Sequence, residues 1–193
     1  MKLIHVTSLA GVFFGGAVLA QDLPVGDPAA GRKVAGMCQT CHGLDGYAKI
    51  PIAPHIGGEP AGYLEAQLTA FRDGTREHEM MSIVAKGLND SQIADVSAWY
   101  ADQIATATLT ADKAAAPAAC VACHGADGIA LVEDAPNLAG ETNIYIDTQL
   151  KAFRGGKRVH EIMTDIAADM TDAEIRAAAD WYAAITLTIT ASE

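Results

Sequence analysis

Two copies of the pattern Cys-x-x-Cys-His constrain the fold of this chain more than any other feature. They occupy residues 38–42 and 120–124 and contain all four cysteines. Cysteine pairs alone are compatible with two disulfides in an exported protein, with a redox dithiol or with a zinc site. None of these explains the histidine after each pair, whereas the pattern is the attachment motif for c-type haem, in which both thiols bond to the haem and the histidine sits under the iron. We therefore expect two covalently bound haem c groups, one on Cys38, Cys41 and His42 and one on Cys120, Cys123 and His124.

The two motifs belong to a long internal repeat. Adding 82 to a residue number in the first half gives its counterpart in the second half without a gap, so that Cys38 corresponds to Cys120. Between Cys38 and Ala101, 28 of 64 positions are identical in the two copies. A period this long with only two copies indicates a tandem domain duplication rather than a solenoid. We expect one domain over residues 21–106 and a second over residues 107–193.

The N-terminus has the pattern of a secretory signal peptide over residues 1–20. Lys2 supplies the positive charge, a short apolar run follows, and Ala20 ends a small-x-Ala cleavage signal. This predicts export to the periplasm, the alternative being an N-terminal anchor that is kept. No later stretch approaches the roughly 18 apolar residues of a membrane span, so none is expected in the mature chain.

The remaining sequence predicts an all-α fold. Asp27-Pro28 is typical of a helix start, and Asn89 and Thr171 open capping boxes. Leu64, Leu68 and Phe71 share one face of a predicted helix. Pro117 should leave the first helix of the second half short or broken. Residues 105–117 are expected to serve partly as a short linker, so that the domains pack together. Residues 185–189 alternate like a strand, without a functional explanation.

Taken together, these motifs resemble class I cytochromes c. The shared features are Cys-x-x-Cys-His, a loop proline, a Tyr-Leu-x-x-Gln-Leu-x-x-Phe-Arg segment, a methionine and a terminal helix ending in Trp-Tyr. The tandem arrangement is similar to di-haem cytochromes of the c4 type and to the cytochrome subunit of flavocytochrome c sulfide dehydrogenase. The resemblance implies two tandem class I cytochrome c domains, each wrapped around one covalent haem. It also implies that Pro54 and Pro136 accept a hydrogen bond from the proximal histidines.

The same resemblance implies the iron ligands. His42 and His124 are the proximal ligands, and a methionine before the last helix supplies the sixth. We choose Met81 and Met163 because they are counterparts in the repeat, whereas Met80 aligns with Ile162. His78 and His160 are also counterparts and are the rival ligands, with a solvent-facing position as the alternative. Other residues could reach the haem propionates or be ordinary core and surface residues: Tyr63, Arg72, Arg76 and their counterparts.

At each haem a histidine and a methionine fill the two axial positions of the iron. This ligation predicts single-electron transfer without substrate chemistry, so no catalytic residue is expected. The alternatives are an electron-accepting subunit of a reduced-sulfur dehydrogenase and, less favoured, a di-haem peroxidase. The net charge of −11 without a basic cluster excludes nucleic-acid binding through phosphate neutralisation. It predicts redox protein partners with basic or neutral docking faces, such as a flavoprotein or a terminal oxidase.

Overall fold

The computed structural model describes residues 25–192, and the predicted signal peptide lies outside them. The helices of the first half are α1 (Pro28–Ala35), α2 (Gln39–His42), α3 (Ala61–Asp73), α4 (Met81–Lys86) and α5 (Asp90–Ala101). Those of the second half are α6 (Val121–His124), α7 (Asn143–Arg154), α8 (Glu161–Ala168) and α9 (Asp172–Ala183). The chain also forms two strands, β1 (Ile104–Thr108) and β2 (Thr186–Thr190). Within residues 25–192, no helix has the length and apolar character needed to cross a bilayer.

The predicted helix starts are confirmed by their capping hydrogen bonds. The Asp27 carboxylate accepts from Ala29 N, and Pro28 is the first residue of α1. Helices α5 and α9 both open with complete capping boxes, formed by Asn89 with Gln92 and by Thr171 with Glu174. These local bonds satisfy N–H groups that the first turn of a helix cannot pair internally. They set where each long terminal helix begins.

The first helix is the main difference between the halves. In the first half, α1 crosses α5 so closely that a Cβ at Gly31 would lie 1.9 Å from Asp95 O. Lys113 takes the place of this glycine in the second half, where the chain forms only the 3₁₀ turn Lys113–Ala115. Pro117 follows this turn, which confirms the prediction of a short first helix and agrees with the exclusion of proline from helix interiors.

A small sheet corrects the all-α prediction. Strands β1 and β2 pair antiparallel, with Thr106 opposite Thr188 at the centre of the register. The alternation at the C-terminus therefore does mark a strand, whereas residues 104–108, assigned partly to the linker, form its partner. Alternating Ala and Thr give little contrast in hydrophobicity, so this segment has no strand signal of its own. Its strand conformation depends on a partner far along the chain.

The register of this sheet defines how the halves are related. Thr106 and Thr188 are counterparts in the repeat, because 106 plus 82 is 188. Antiparallel pairing of two equivalent segments about their own centre places the two halves around a pseudo-twofold axis. Each half has its own buried core, and the sheet packs on the second one through Leu187. The expected packing of the two domains against each other is confirmed by hydrogen bonds that cross between them.

Candidate functional site

The two cysteine motifs lie on short, equivalent helices. Cys38 caps α2 and Cys120 caps α6, and each motif histidine is the last residue of its helix. All four cysteines are half-buried free thiols, so the disulfide alternative is not supported. Burial raises the pKa of Cys38 and of Cys120, which keeps these thiols protonated in the chain alone. Both motif histidines are buried.

In each half, the Trp-Tyr pair that ends the long terminal helix forms hydrogen bonds with the loop after the cysteine motif. In the first half Trp99 Nε1 donates to Leu44 O at 2.8 Å, and the Tyr100 hydroxyl donates to Gly43 O at 3.2 Å. In the second half Trp181 Nε1 donates to Ala126 O at 3.0 Å and the Tyr182 hydroxyl to Gly125 O at 3.1 Å. The aromatic side chains thus fill the core and also bind the loop directly after the motif.

The motif histidines have a fixed orientation and tautomer. His42 Nδ1 lies 2.9 Å from Pro54 O, and His124 Nδ1 lies 2.8 Å from Pro136 O. A carbonyl only accepts hydrogen bonds, so Nδ1 carries the proton and Nε2 is left as a lone pair. Burial lowers the pKa of both imidazoles, which favours the neutral form that a metal requires. The contact expected from the class I resemblance is therefore confirmed.

All eight predicted site residues line one cavity. Its volume is about 710 Å³, and it runs without interruption from the first half into the second. Cys38, His42 and Met81 border it in the first half, and the equivalent residues border it in the second. A mostly apolar cavity of this size is typical of a cofactor site rather than a packed core.

The rival ligands have another role in the structure. His78 Nδ1 accepts from Met80 N and Met81 N, both at 3.3 Å, and His160 Nδ1 accepts from Ile162 N and Met163 N in the same way. Both histidines therefore cap the turns that carry the predicted methionine ligands. Met80 also lines the cavity but is 57% exposed, whereas Met81 is partly buried.

A polar cluster that sequence reasoning only partly identified lies between the halves. Arg76 donates to Gln67 of its own half and, at 2.8 Å, to Gln149 of the other. Arg158 donates to Gln149 at 2.8 Å and, across the interface, to Gln67 at 3.0 Å. Burial and the neighbouring Arg158 charge lower the pKa of Arg76. The signal in the sequence was the repetition of Arg and Gln at the same offset, but only the fold places the four side chains together.

The second pair of repeated arginines, Arg72 and Arg154, forms ion pairs at the surface. Arg72 bonds Asp90 at 2.6 Å, and Arg154 bonds Asp172 at 2.6 Å. Each pair joins the end of one helix to the first residue of the next long helix. These two arginines thus link helices at the surface and do not border the cavity.

A second polar group at the interface was missed entirely. Glu59 and Glu141 are only 4% and 2% exposed, and both border the cavity. Burial raises the pKa of Glu59 to about 8 and raises that of Glu141 well above its ordinary value. Each accepts a backbone N–H from the opposite half. Gly58-Glu59 and Gly140-Glu141 are counterparts in the repeat, but nothing in the sequence indicates that these glutamates are buried.

The donor set of the cavity fits haem c. Within residues 25–192 neither Arg76 nor Arg158 forms an ion pair, so two half-buried guanidinium groups border the cavity without a carboxylate partner. Haem carries carboxylate propionates on an otherwise apolar ring, which matches two arginines on an apolar wall beside paired thiols and a histidine. A zinc site does not fit, because in the described part of the chain no group of three or more His, Cys, Asp or Glu side chains is arranged to hold a metal ion.

Comparison with known proteins agrees with this geometry. Residues 28–101 match the family described as cytochrome c, and residues 107–181 match the family described as cytochrome c oxidase, cbb3-type, subunit III. The thiosulfate dehydrogenase electron acceptor of Thiomonas intermedia is 33% identical over 186 residues, 85% of this chain and 85% of that protein. Cytochrome c4 of Pseudomonas aeruginosa is 32% identical over 171 residues, 79% of this chain and 85% of that protein.

The fold is also similar to that of a solved structure. Reduced recombinant cytochrome c4 from Pseudomonas stutzeri matches with a TM-score of 0.73 and 26% identity, covering 83% of this chain and 100% of that one. The two family matches contain both cysteine motifs, one in residues 28–101 and the other in residues 107–181. The chain therefore belongs to the cytochrome c family, in the two-domain form represented by cytochrome c4, and is an electron carrier with two covalently bound haem c groups.

Proposed function

We propose that this cytochrome carries single electrons between redox proteins of the periplasm, exported by the signal peptide at residues 1–20. Its two domains are residues 21–106 and 107–193, each wrapped around one haem. The observation that carries the proposal is the continuous cavity, which is bordered by both motifs and by both predicted methionines. Because both motifs border one cavity, the two haems would lie close to each other, which favours electron transfer between them.

His42 with Met81 and His124 with Met163 are the proposed axial ligands. Haem c held by histidine and methionine exchanges one electron between Fe(III) and Fe(II) and has no open position for a substrate. In this chain the Pro54 and Pro136 carbonyls keep Nε2 of each histidine free for iron. His78 and His160 hold the turns that present the methionines. The protein thus supplies rigid ligands, which keeps the reorganisation on electron transfer small.

Arg76 and Arg158 are proposed to bind propionates of the two haems. Each guanidinium reaches a glutamine of both halves, so the cluster orders the edges of the two sites relative to each other. Arg76 also stacks on Phe71 with 4.4 Å between its guanidinium carbon and the ring centroid, and Arg158 stacks on Phe153 at 4.5 Å. These contacts immobilise the guanidinium planes, which favours bidentate binding of carboxylates.

Absorption spectroscopy of ligand variants tests the proposed ligation. Each of Met81→Ala and Met163→Ala should remove one far-red methionine-to-iron band of the ferric protein and lower one reduction potential. Met80→Ala is the matched control and should do neither. Loss of a band in Met80→Ala instead would show that the repeat alignment assigns the wrong methionine.

The net charge of −11 predicts that the docking partner has a basic or largely neutral face. For a transient carrier, the rate of electron transfer should fall as salt rises, because the screening length is only about 10 Å at 0.1 M. Rates that do not change with salt, together with co-purification of the partner, would indicate a permanent subunit instead.

A second candidate role is that of electron acceptor for a reduced-sulfur dehydrogenase. It is favoured by the similarity to the protein of Thiomonas intermedia named as a thiosulfate dehydrogenase electron acceptor. The catalytic step would then lie on a partner enzyme, which could be a flavoprotein or a thiosulfate dehydrogenase. Rapid reduction of the purified cytochrome by such an enzyme with thiosulfate or sulfide would support this role. Reduction no faster than that of an unrelated cytochrome c would exclude it.

A further inference from the structure

The hydrogen bond that orients each motif histidine is one link of a longer chain. The Pro54 carbonyl accepts from His42 Nδ1 at 2.9 Å, and the N–H of the same peptide unit, which belongs to His55, donates to Glu141 Oε1 at 2.7 Å. The peptide is trans, so its C=O and N–H point in opposite directions. A single peptide unit therefore connects a carboxyl group of the second half to the imidazole of the first.

The same chain exists with the halves exchanged. The Pro136 carbonyl accepts from His124 Nδ1 at 2.8 Å, and the Asn137 N–H donates to Glu59 Oε2 at 2.9 Å. The repeat therefore preserves the connection although residue 55 is histidine and residue 137 is asparagine. What the two copies share is the glutamate, the proline and the motif histidine.

The side chain that follows each connecting peptide forms a second hydrogen bond across the interface. His55 Nε2 donates to Gly140 O at 3.1 Å, and Asn137 Nδ2 donates to Gly58 O at 2.9 Å. These glycines directly precede Glu141 and Glu59. The peptide of one half is therefore held by two bonds to the loop that carries the glutamate of the other, which fixes the direction of the N–H.

We propose that Glu59 and Glu141 tune the haem of the opposite domain by polarising the peptide that accepts from its proximal histidine. The inference rests on the proposed axial role of His42 and His124. A carboxyl oxygen that accepts from the N–H draws positive charge to that end of the peptide and leaves the carbonyl oxygen more negative. The carbonyl then accepts more strongly from Nδ1–H, which makes Nε2 a more basic ligand.

The effect has a definite sign and address. A more basic imidazole stabilises Fe(III) over Fe(II), so the intact chain lowers the reduction potential. Glu59 acts on the haem bound through His124, and Glu141 acts on the haem bound through His42. The low dielectric around two buried carboxyls strengthens each link. Glu59 and Glu141 are thus positioning residues, which act on the proximal histidine through the peptide.

Three variants at Glu59 separate this relay from other effects. Glu59→Gln keeps the length of the side chain and an accepting oxygen but loses the ability to ionise. Glu59→Asp keeps a carboxyl but is one methylene shorter, so the oxygen no longer reaches Asn137 N. Glu59→Leu keeps similar volume and removes the acceptor. The two potentials of each haem-loaded protein are measured by spectroelectrochemistry, and each haem is assigned by the NMR resonance of its axial methionine methyl group.

The relay predicts that Glu59→Asp and Glu59→Leu raise the reduction potential of the haem bound through His124. The potential of the haem bound through His42 should not change. A change of up to about tenfold in the oxidation equilibrium is expected, which is 59 mV for a one-electron couple. Gln should retain most of the wild-type value. A charge effect through space predicts the reverse order, with a shift for Gln and little for Asp, and would overturn the proposal, as would equal shifts of both haems or none.

The reciprocal variants at Glu141 provide an independent measurement if one Glu59 variant does not fold. They should shift the His42 haem and not the His124 haem. The spectrum of the wild-type protein tests the underlying ligation separately. Absence of a low-spin histidine–methionine signature would refute the proposed axial ligands, whereas a normal signature without any crosswise shift would refute the relay alone.

Discussion

Replacement of Glu59 by glutamine should change how the stability of this cytochrome depends on pH. Glu59 is 4% exposed, and burial raises its pKa to about 8 from an ordinary value of 4.5. Between these two values the folded chain holds a proton that the unfolded chain has released. Stability from this group is therefore fully present below about pH 4.5 and is lost progressively as the pH rises to about 8.

The size of the effect follows from proton linkage. A difference of one bound proton changes the free energy of unfolding by 1.36 kcal/mol per pH unit. From about pH 5 to pH 8 the wild-type protein should lose up to about 4 kcal/mol through this carboxyl alone. Glu59→Gln does not titrate, so its stability should fall less over the same range. Glu141 has its pKa raised in the same direction, which leaves a residual slope in the variant.

Denaturant unfolding of the haem-loaded protein at several pH values measures this difference. The control is Glu79→Gln, which makes the same substitution at an exposed position. The wild type and the control should lose stability in parallel, whereas the curve of Glu59→Gln should be flatter. Parallel curves for all three proteins, or a steeper curve for Glu59→Gln, would show that Glu59 is ionised in the folded protein and that the reasoning from its burial is wrong.

Three further outcomes test the packing. His160→Ala removes the cap on Ile162 N and Met163 N and should cost about 1 kcal/mol in chemical unfolding while the far-red methionine bands persist. Gly31→Val should destabilise the first domain by at least about 1–3 kcal/mol in the same assay, because the added Cβ overlaps Asp95 O, whereas Lys113→Ala at the equivalent position should be nearly neutral. Truncation after Ile185 removes β2 and should expose β1 to protease; unchanged digestion kinetics would show that the sheet contributes nothing to holding the domains together.

Much of the site follows from the sequence because its chemistry is local. The spacing Cys38, Cys41, His42 places two thiols and an imidazole on one turn of helix, and a repeat of that spacing implies a second identical group. The capping boxes at Asn89 and Thr171 are equally local, since both partners lie within four residues. The contact of each motif histidine with its proline could be inferred because the family keeps that loop.

The fold class was only partly predictable, and the missing strand shows why. Residues 104–108 contain alternating alanines and threonines that favour neither helix nor strand strongly. They become a strand because Thr186–Thr190 presents an unpaired edge, and the two segments are 82 residues apart. Pairing at such a distance is a property of how the two domains meet, not of either segment.

The interface was decided by the tertiary structure alone. Glu59 and Asn137 are 78 residues apart, and Glu141 and His55 are 86 apart, yet each pair is joined by a buried hydrogen bond. In the sequence these glutamates are marked only as counterparts in the repeat, because their burial and the backbone N–H from the other domain depend on how the domains pack. The sequence by itself thus determined the cofactor, its number and the duplicated fold. The pseudo-twofold packing decided which side chains of one domain face the haem site of the other. These contacts exist only in the interface that forms when the two domains pack together.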